Sequence, residues 1–138
     1  MNRPTWEEVW MSVAEIISQR SHHPDFKVGA IVTTEDNTQI LSVGYNGNEA
    51  GGENQPESIE PGNSGLLHAE INCLLKLDYN NPKEKIMWLT LSPCKMCAKA
   101  IINSGIKKII YKDEYRDMSG LELLKKSGVE VKRYLDNN

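Results

Sequence analysis

Apolar residues near the start of the chain recur at the spacing of an α-helix, in which residues three and four apart share one face. The members of this stripe are Trp6, Val9, Trp10, Val13 and Ile17. Thr5 precedes them, and Glu8 follows Thr5 by three positions, which is the pattern of a capping box. The pattern predicts a first helix that begins after Thr5 and buries one face.

Further along, short apolar runs that are typical of strands alternate with segments of helical pattern. Strands are predicted at 27–34, 39–45, 86–91, 107–112 and 129–135, and helices at 68–77, 92–105 and 118–128. The order α-β-β-α-β-α-β-α-β indicates an α/β fold with three layers, a mixed five-stranded sheet with helices on both faces. A helix joins the last two strands, so these two are predicted to be parallel. Ser92 is the expected N-cap of the third helix, with Pro93 in its first turn.

Composition limits the function without identifying it. A chain of 138 residues, 39% hydrophobic and 25% charged, is expected to form one soluble domain over residues 1–138. No apolar run approaches the ~20 residues of a membrane span, and no export signal is recognised. Three cysteines are an odd number, which favours reduced thiols in a cytoplasm, that of the host if the protein is viral. A net charge of -3 argues against a long nucleic acid as partner.

Two cysteines suggest a metal site. Cys94 and Cys97 are three apart at a predicted helix start, where both sulfurs share a face and the helix dipole favours thiolate. His68 lies at another predicted helix start. Three protein ligands and one open position are typical of catalytic zinc, whereas four are structural. Glu70 is then expected beside the open position as a proton carrier. A Cys-x-x-Cys pair alone is weaker evidence, because such pairs are also redox-active or structural.

The two halves together, His68-Ala69-Glu70 and Pro93-Cys94-Lys95-Met96-Cys97, match the signature of the zinc deaminases. The surrounding segments resemble the deoxycytidylate (dCMP) deaminases, in particular the bacterial and phage branch of the cytidine deaminase superfamily. These segments are "KVGAIV", "GYNG", "HAEINCLL", "TLSPCKMCAKAIINSGIKKIIY" and "GVEV". The resemblance implies a cytidine deaminase-like fold and the zinc-dependent hydrolysis of dCMP to dUMP and ammonia, which supplies dUMP for thymidylate synthesis.

The resemblance also assigns roles in substrate binding. The backbone N–H of Ala69 is expected to hold the base O2, and the backbone C=O of Ser92 is expected to accept a hydrogen bond from the 4-amino group. Asn46 matches a residue that binds the sugar hydroxyl, although Asn-Gly is also a favoured turn pair.

Four further residues each have two interpretations. Phe26 packs either against the base or in the core. Tyr115 lies either near the base or in a surface loop. Arg116 or Lys112 meets a 5′-phosphate or is simply solvated.

Regulation is a further implication of the resemblance. Relatives of this type are hexamers that dCTP activates and dTTP inhibits, with Mg²⁺ on the triphosphate. The effector site is associated with Gly44, Tyr45, Asn46 and Gly47, and Lys27 is a candidate cation for the triphosphate. Glu49 departs from the family pattern, in which a proline is common.

Two further features of the sequence favour a structural role, and two alternative functions are compatible with the motifs. The adjacent His22 and His23 are expected at the surface, and Cys73 is expected in the core. A related deaminase of a free cytidine nucleoside or of tRNA adenosine is an alternative function, and so is a non-catalytic module stabilised by zinc. An intact Glu70 argues against the last of these.

Overall fold

The computed structural model describes residues 2–135, which form four helices and five strands in the predicted order. The helices are α1 (Trp6–Ser18), α2 (Ala69–Leu75), α3 (Lys95–Ser104) and α4 (Ser119–Lys126). The strands are β1 (Gly29–Thr34), β2 (Ile40–Tyr45), β3 (Lys85–Leu91), β4 (Lys108–Asp113) and β5 (Glu130–Arg133). None of the helices in this part of the chain combines the length and the apolar character needed to cross a membrane.

All five strands join one sheet in the order β2-β1-β3-β4-β5. Strand β1 is antiparallel to both β2 and β3, whereas β3, β4 and β5 are mutually parallel. The parallel pairs follow from the helices that connect them, since a parallel neighbour requires a crossover. The predicted mixed sheet with a parallel final pair is therefore confirmed.

The strands alternate their side chains between two apolar layers. On one face Trp88, Ile31 and Ile110 pack with Trp10 and Met11 of α1. On the other face the sheet packs against α2, α3 and α4, and this larger cluster includes Met87, Leu89, Ile109, Cys73, Ile101 and Leu124. The fold thus has the predicted three layers, with Cys73 in the core as expected.

The first helix differs in detail from its apolar stripe. Thr5 and Glu8 form the predicted capping box, with both hydrogen bonds at 3.1 Å. Trp6, however, is 49% exposed and stacks on Trp10, whereas the buried positions include Met11 and Ala14. Helix α1 approaches β1 so closely that a Cβ on Gly29 would lie 2.0 Å from the Ala14 carbonyl oxygen. Only glycine therefore fits at position 29 of β1, opposite Ala14 of the helix, whereas the large Trp6 remains largely exposed.

The start of α3 was predicted wrongly. Its N-cap is Cys94, whose sulfur accepts from the Cys97 N–H, so the helix begins two residues later than a Ser92 cap would require. The Ser92 hydroxyl instead accepts from the Tyr115 N–H at 2.7 Å, and its own N–H donates to the Asp113 carbonyl. Ser92 is thereby held at the edge of the sheet, and Cys94 occupies the N-cap position of α3.

Four chain segments meet at one edge of the sheet. The carboxyl ends of β3 and β4 lie side by side, as the pairing of Leu91 with Asp113 shows. The carboxyl end of β2 and the amino end of β1 lie at the same edge, because Gly29 pairs with Tyr45. Helices α2 and α3 both begin there. In open α/β sheets, this edge is where ligands bind.

Candidate active site

The side chains of His68, Cys94 and Cys97 meet at the start of α2 and α3. His68 is the N-cap of α2, and Cys94 and Cys97 lie at the N-cap and in the first turn of α3. The Nδ1 atom of His68 lies 3.2 Å from the Cys97 sulfur and 3.5 Å from the Cys94 sulfur. Tetrahedral zinc with ordinary bond lengths separates such nitrogen and sulfur ligands by about 3.6 Å. The nitrogen and the two sulfurs therefore fit Zn²⁺ in both chemistry and spacing.

Among residues 2–135, this is the group of histidine, cysteine and acidic side chains whose donor atoms converge closely enough for a metal ion, all within 4.8 Å of one another. A hydrogen bond from the Cys97 thiol, reinforced by His68, lowers the pKa of Cys94 to about 4. The same bond to the Cys94 thiolate, together with burial, raises the pKa of Cys97. The pair thus shares one proton between two sulfurs, and a cation bound by both sulfurs replaces it.

Glu70 belongs to the same site. It occupies the second position of α2 and is only 4% exposed, yet it contributes to the cavity wall. Burial away from water raises the pKa of its carboxyl group, and the Glu70 backbone N–H and the nearby His68 oppose this effect only in part. A carboxyl group with a raised pKa holds a proton more readily than an exposed one, which suits a group that has to accept a proton and release it again.

A cavity of about 320 Å³ opens over these groups, which is within the usual range for a small-molecule site. Its wall combines five apolar or aromatic side chains with nine polar or ionisable ones: Phe26, Val28, Pro61, Leu91 and Tyr115, and His23, Asn46, Ser64, His68, Glu70, Ser92, Cys94, Glu114 and Arg116. Five of the residues expected to bind substrate, Asn46, Ser92, Phe26, Tyr115 and Arg116, are thereby brought together.

Residues 4–113 match the family model described as the cytidine and deoxycytidylate deaminase zinc-binding region. The chain belongs to this family. It is 35% identical to human deoxycytidylate deaminase over 124 residues, which cover 81% of the chain and 67% of the human protein. It is 32% identical to deoxycytidylate deaminase of phage T2, with 88% of each chain covered. The dCMP deaminase of cyanophage S-TIM5, whose crystal structure contains dCMP and dUMP, superposes with a TM-score of 0.82 at 35% identity, covering 97% of this chain and 100% of that one.

In this deaminase, the two aromatic candidates lie at the cavity and not in the core. Phe26 is 45% exposed, which excludes the alternative that it packs in the interior. Tyr115 is half-buried, and the Arg116 guanidinium lies 5.8 Å from the centre of its ring. Ala69 is buried and does not line the cavity among the residues that the structure describes. As the first residue of α2, however, its N–H has no acceptor within the helix.

Asn46 has a structural function that its turn-like context did not predict. It is buried, its side-chain oxygen accepts from the Val28 N–H at 2.9 Å, and its side-chain nitrogen donates to the Phe26 carbonyl at 2.7 Å. The side chain therefore fixes the segment before β1 while it lines the cavity. Each group of the amide keeps capacity for one further hydrogen bond.

The residues expected to hold an effector, Gly44 to Gly47, lie at the end of β2 and at the start of the segment that leads to α2. A Cβ on Gly44 would lie 2.4 Å from the Ala69 carbonyl oxygen, so the close packing of the two elements requires glycine. Gly47 pairs with Leu67, and Asn72 of α2 donates to the Tyr45 carbonyl at 2.9 Å. Tyr45 and Gly47 thus help to fix the segment that leads to His68.

The two other candidate cations lie away from the metal group. Lys27 is exposed and lines a neighbouring groove rather than the cavity. Lys112 lines the same groove and forms an ion pair with Glu15 at 2.5 Å. Arg116 is therefore the one of the three cations proposed from the sequence that reaches the cavity.

His23 is the site residue that sequence reasoning missed. It was expected at the surface with His22, but it is only 2% exposed and lines the cavity, whereas His22 is exposed. Its Nδ1 atom accepts from the backbone N–H groups of Asp25 at 3.1 Å and Phe26 at 2.9 Å. These bonds turn the ring back over its own loop. The segment has no regular periodicity that would distinguish the two histidines, so the burial is visible only in three dimensions.

Proposed function

We propose that this deaminase hydrolyses dCMP to dUMP and ammonia. The observation that carries the proposal is that Glu70 lines one small cavity together with His68 and Cys94, two members of the converging group of His68, Cys94 and Cys97. The similarity to deoxycytidylate deaminases of human and phage origin supports dCMP as the substrate. A related cyanophage enzyme that was crystallised with dCMP and dUMP adds further support.

His68, Cys94 and Cys97 would hold the Zn²⁺ ion. When bound, zinc supplies a water molecule whose pKa is lowered to ~7, so that hydroxide is available at neutral pH. The three side chains come from the rigid starts of two helices, which fixes their separation before the ion binds. Such a site keeps the reactive groups in one geometry, and this lowers the cost of orientation.

Glu70 would carry the protons. It accepts a proton from the attacking water and delivers it to N3 of the pyrimidine as oxygen bonds to C4. It then takes the proton of the new hydroxyl group on C4 and passes it to the 4-amino group, so that the C4–N bond breaks, ammonia leaves and C4 keeps the oxygen as a carbonyl. Burial raises the pKa of this carboxyl group, so it holds a proton more readily than an exposed carboxylate, and this suits a group that alternates between base and acid.

The other residues would orient the nucleotide. The Ala69 N–H holds the base O2, and the Ser92 carbonyl accepts from the 4-amino group, which uracil lacks. Phe26 and Tyr115 contact the base from the wall of the cavity, and Asn46 binds a sugar hydroxyl with its remaining hydrogen-bonding capacity. Arg116 attracts the 5′-phosphate.

Residues 1–138 would act as one deaminase domain in the cytoplasm, where nucleotide substrates are present. By resemblance, the enzyme would assemble as a hexamer that dCTP with Mg²⁺ activates and dTTP inhibits. The segment from Gly44 to Gly47 and the exposed Lys27 are the residues that support such an effector site. Glu49 makes the loop acidic where an anionic triphosphate would bind, so a second subunit or Mg²⁺ would have to provide positive charge. Activity with each effector, and the mass of the assembly in solution, test this part.

The central experiment follows the loss of ultraviolet absorbance as the enzyme deaminates dCMP, CMP, dCTP or deoxycytidine. dCMP should have the highest kcat/KM. A preference for deoxycytidine would favour a free-nucleoside deaminase instead, and activity on tRNA adenosine would place the enzyme in the tRNA-modifying branch. Absence of turnover on all of them by zinc-loaded protein would favour a non-catalytic module.

A further inference from the structure

His23 presents a single hydrogen-bond donor to the cavity. Since its Nδ1 atom accepts two backbone N–H groups, the neutral ring carries its proton on Nε2. Within residues 2–135, the Nε2 atom has no hydrogen-bond partner. Every fully buried side-chain nitrogen or oxygen in this part of the chain does have a partner, so Nε2 is not one of the buried atoms. It therefore reaches the open space of the cavity that His23 lines. A side chain that is 98% buried and keeps one donor unpaired is poised for a ligand.

The direction of this donor is fixed by Asn46. The Asn46 amide bonds to the Phe26 carbonyl and to the Val28 N–H, which holds the backbone on the far side of Phe26. The N–H of Phe26 in turn bonds to the His23 ring, and the Phe26 ring packs edge-on against it at 5.1 Å. The loop is thus ordered by bonds at both ends of one short segment. The donor is preorganised, so little is lost in ordering it when a ligand binds.

The charges around the cavity favour an anion as that ligand. Glu114 lines the cavity, but its carboxylate is paired with Arg133 at 2.9 Å. Arg116 also lines the cavity, and its contacts there are the Pro61 carbonyl at 3.4 Å and the face of the Tyr115 ring. Neither contact neutralises the guanidinium charge. A cation and the His23 donor therefore remain for an acceptor with negative charge.

We infer that the Nε2–H of His23 donates a hydrogen bond to the phosphate of the bound nucleotide and thereby makes the enzyme selective for a nucleotide over its nucleoside. The inference rests on the proposed function, because it takes the substrate to be a pyrimidine nucleoside monophosphate. His23 is a binding residue in this scheme, and Asn46 is a positioning residue that acts through the Phe26 backbone.

The test compares the wild-type enzyme with His23→Asn and His23→Gln, and with His22→Asn as the matched control at the exposed neighbour. The oxygen of Asn can replace Nδ1 as acceptor for the loop, whereas the amide of Gln can replace the Nε2 donor. The measured quantity is the ratio of kcat/KM for dCMP to that for deoxycytidine. His23→Asn should lower this ratio roughly 10- to 100-fold, the size expected for a lost hydrogen bond to a charged group. His23→Gln should restore part of it, and His22→Asn should not change it.

Equilibrium binding of dUMP and deoxyuridine, measured by calorimetry, repeats the comparison without turnover. The role of His23 is then decided even if dCMP proves not to be the substrate. A wild-type enzyme without turnover on dCMP contradicts the proposed function. An unchanged ratio and unchanged dUMP affinity in His23→Asn, or an equal loss for nucleotide and nucleoside, contradicts the phosphate contact alone.

A second measurement needs no change at position 23. The chain has three histidines. In the ¹⁵N spectrum of the wild-type protein, the resonances of His22 and His68 are assigned from His22→Asn and from zinc binding. The remaining Nε2–H resonance should shift on addition of dUMP and stay in place with deoxyuridine. A shift with both ligands, or with neither, overturns the inference.

Discussion

The Nδ1 atom of His68 lies 3.2 Å from the sulfur of Cys97, although the two residues are 29 positions apart in the chain. The contact exists because α2 and α3 begin at the same edge of the sheet, one on each side of β3 in sequence. The helix starts hold the ligands, and Glu70 shares the rigid first turn of α2 with His68. The packing of two helices therefore brings the proposed metal ligands and the proposed proton carrier together, and each proposed role can be tested by itself.

Replacing Glu70 by Gln should remove the proton carrier and leave the metal site. General acid–base catalysis contributes about 10²–10⁴-fold, and Glu70 is proposed to act in two transfers, so kcat for dCMP should fall at least about 10³-fold. Zinc content by elemental analysis and the thermal midpoint should remain near the wild-type values. Glu122→Gln, at an exposed carboxylate of α4, is the control and should behave as wild type. Substantial turnover by Glu70→Gln would show that another group moves the proton.

Two fully buried cysteines separate metal binding from core packing. Cys97 and Cys73 are both 0% exposed, but only Cys97 faces the histidine of the metal group. Cys97→Ala should abolish zinc binding and turnover together. Cys73→Ala should keep zinc and activity and lose about 1 kcal/mol of unfolding free energy from the small cavity it leaves. Elemental analysis and denaturant unfolding provide the two readouts. Equal zinc content in both variants would rule out Cys97 as a ligand.

Two nearby glycines, Gly44 in β2 and Gly47 just after it, should differ in their tolerance of a methyl group. A Cβ on Gly44 would lie 2.4 Å from the Ala69 carbonyl oxygen and 2.5 Å from the Cys73 backbone nitrogen, whereas the nearest atom to a Cβ on Gly47 is 3.5 Å away. Gly44→Ala should force β2 and α2 apart and destabilise the protein by about 2–3 kcal/mol or more. Gly47→Ala should cost much less. Urea unfolding of the two variants checks this, and similar losses would mean that the turn is limited by something other than steric contact.

The pH dependence of stability has a local component at the β1–β2 turn. Hydrogen bonds from the hydroxyl groups of Thr34 and Thr38 and from the Thr38 N–H lower the pKa of Asp36 in the folded protein. A folded pKa below the unfolded value of about 3.9 gives stability that is present at higher pH and lost as the pH falls through the folded pKa. The difference in thermal midpoint between wild type and Asp36→Asn should therefore be largest above about pH 5 and shrink toward pH 2. A difference that is constant with pH would mean that the charge of Asp36 does not contribute.

Much of the fold was accessible from local patterns. The capping box of Thr5 and Glu8, the strand at 86–91, and the position of His68 before α2 all follow from short-range rules, and the structure has each of them. The N-cap signal was less reliable where two nearby residues could act as the cap. Ser92 is the better N-cap by propensity, yet Cys94 holds that position, because Ser92 is already bonded to Asp113 and Tyr115 across the sheet edge.

The sequence by itself determined the order of the elements and indicated the candidate metal ligands, because periodicity and the two short motifs, His68-Ala69-Glu70 and Pro93-Cys94-Lys95-Met96-Cys97, are local properties of the chain. Only the tertiary structure decided which residues share the cavity. His23 looks like its neighbour His22 in sequence, and Asn46 looks like a turn residue. The Asn46 amide bonds to Phe26 and Val28 only because the pairing of β1 with β2 brings these two segments together. His23 bonds to its own loop, but the cavity that it lines is completed by residues far along the chain, among them His68 and Tyr115. Such long-range neighbours are set by the packing of the sheet and helices, and no short segment of the chain contains them.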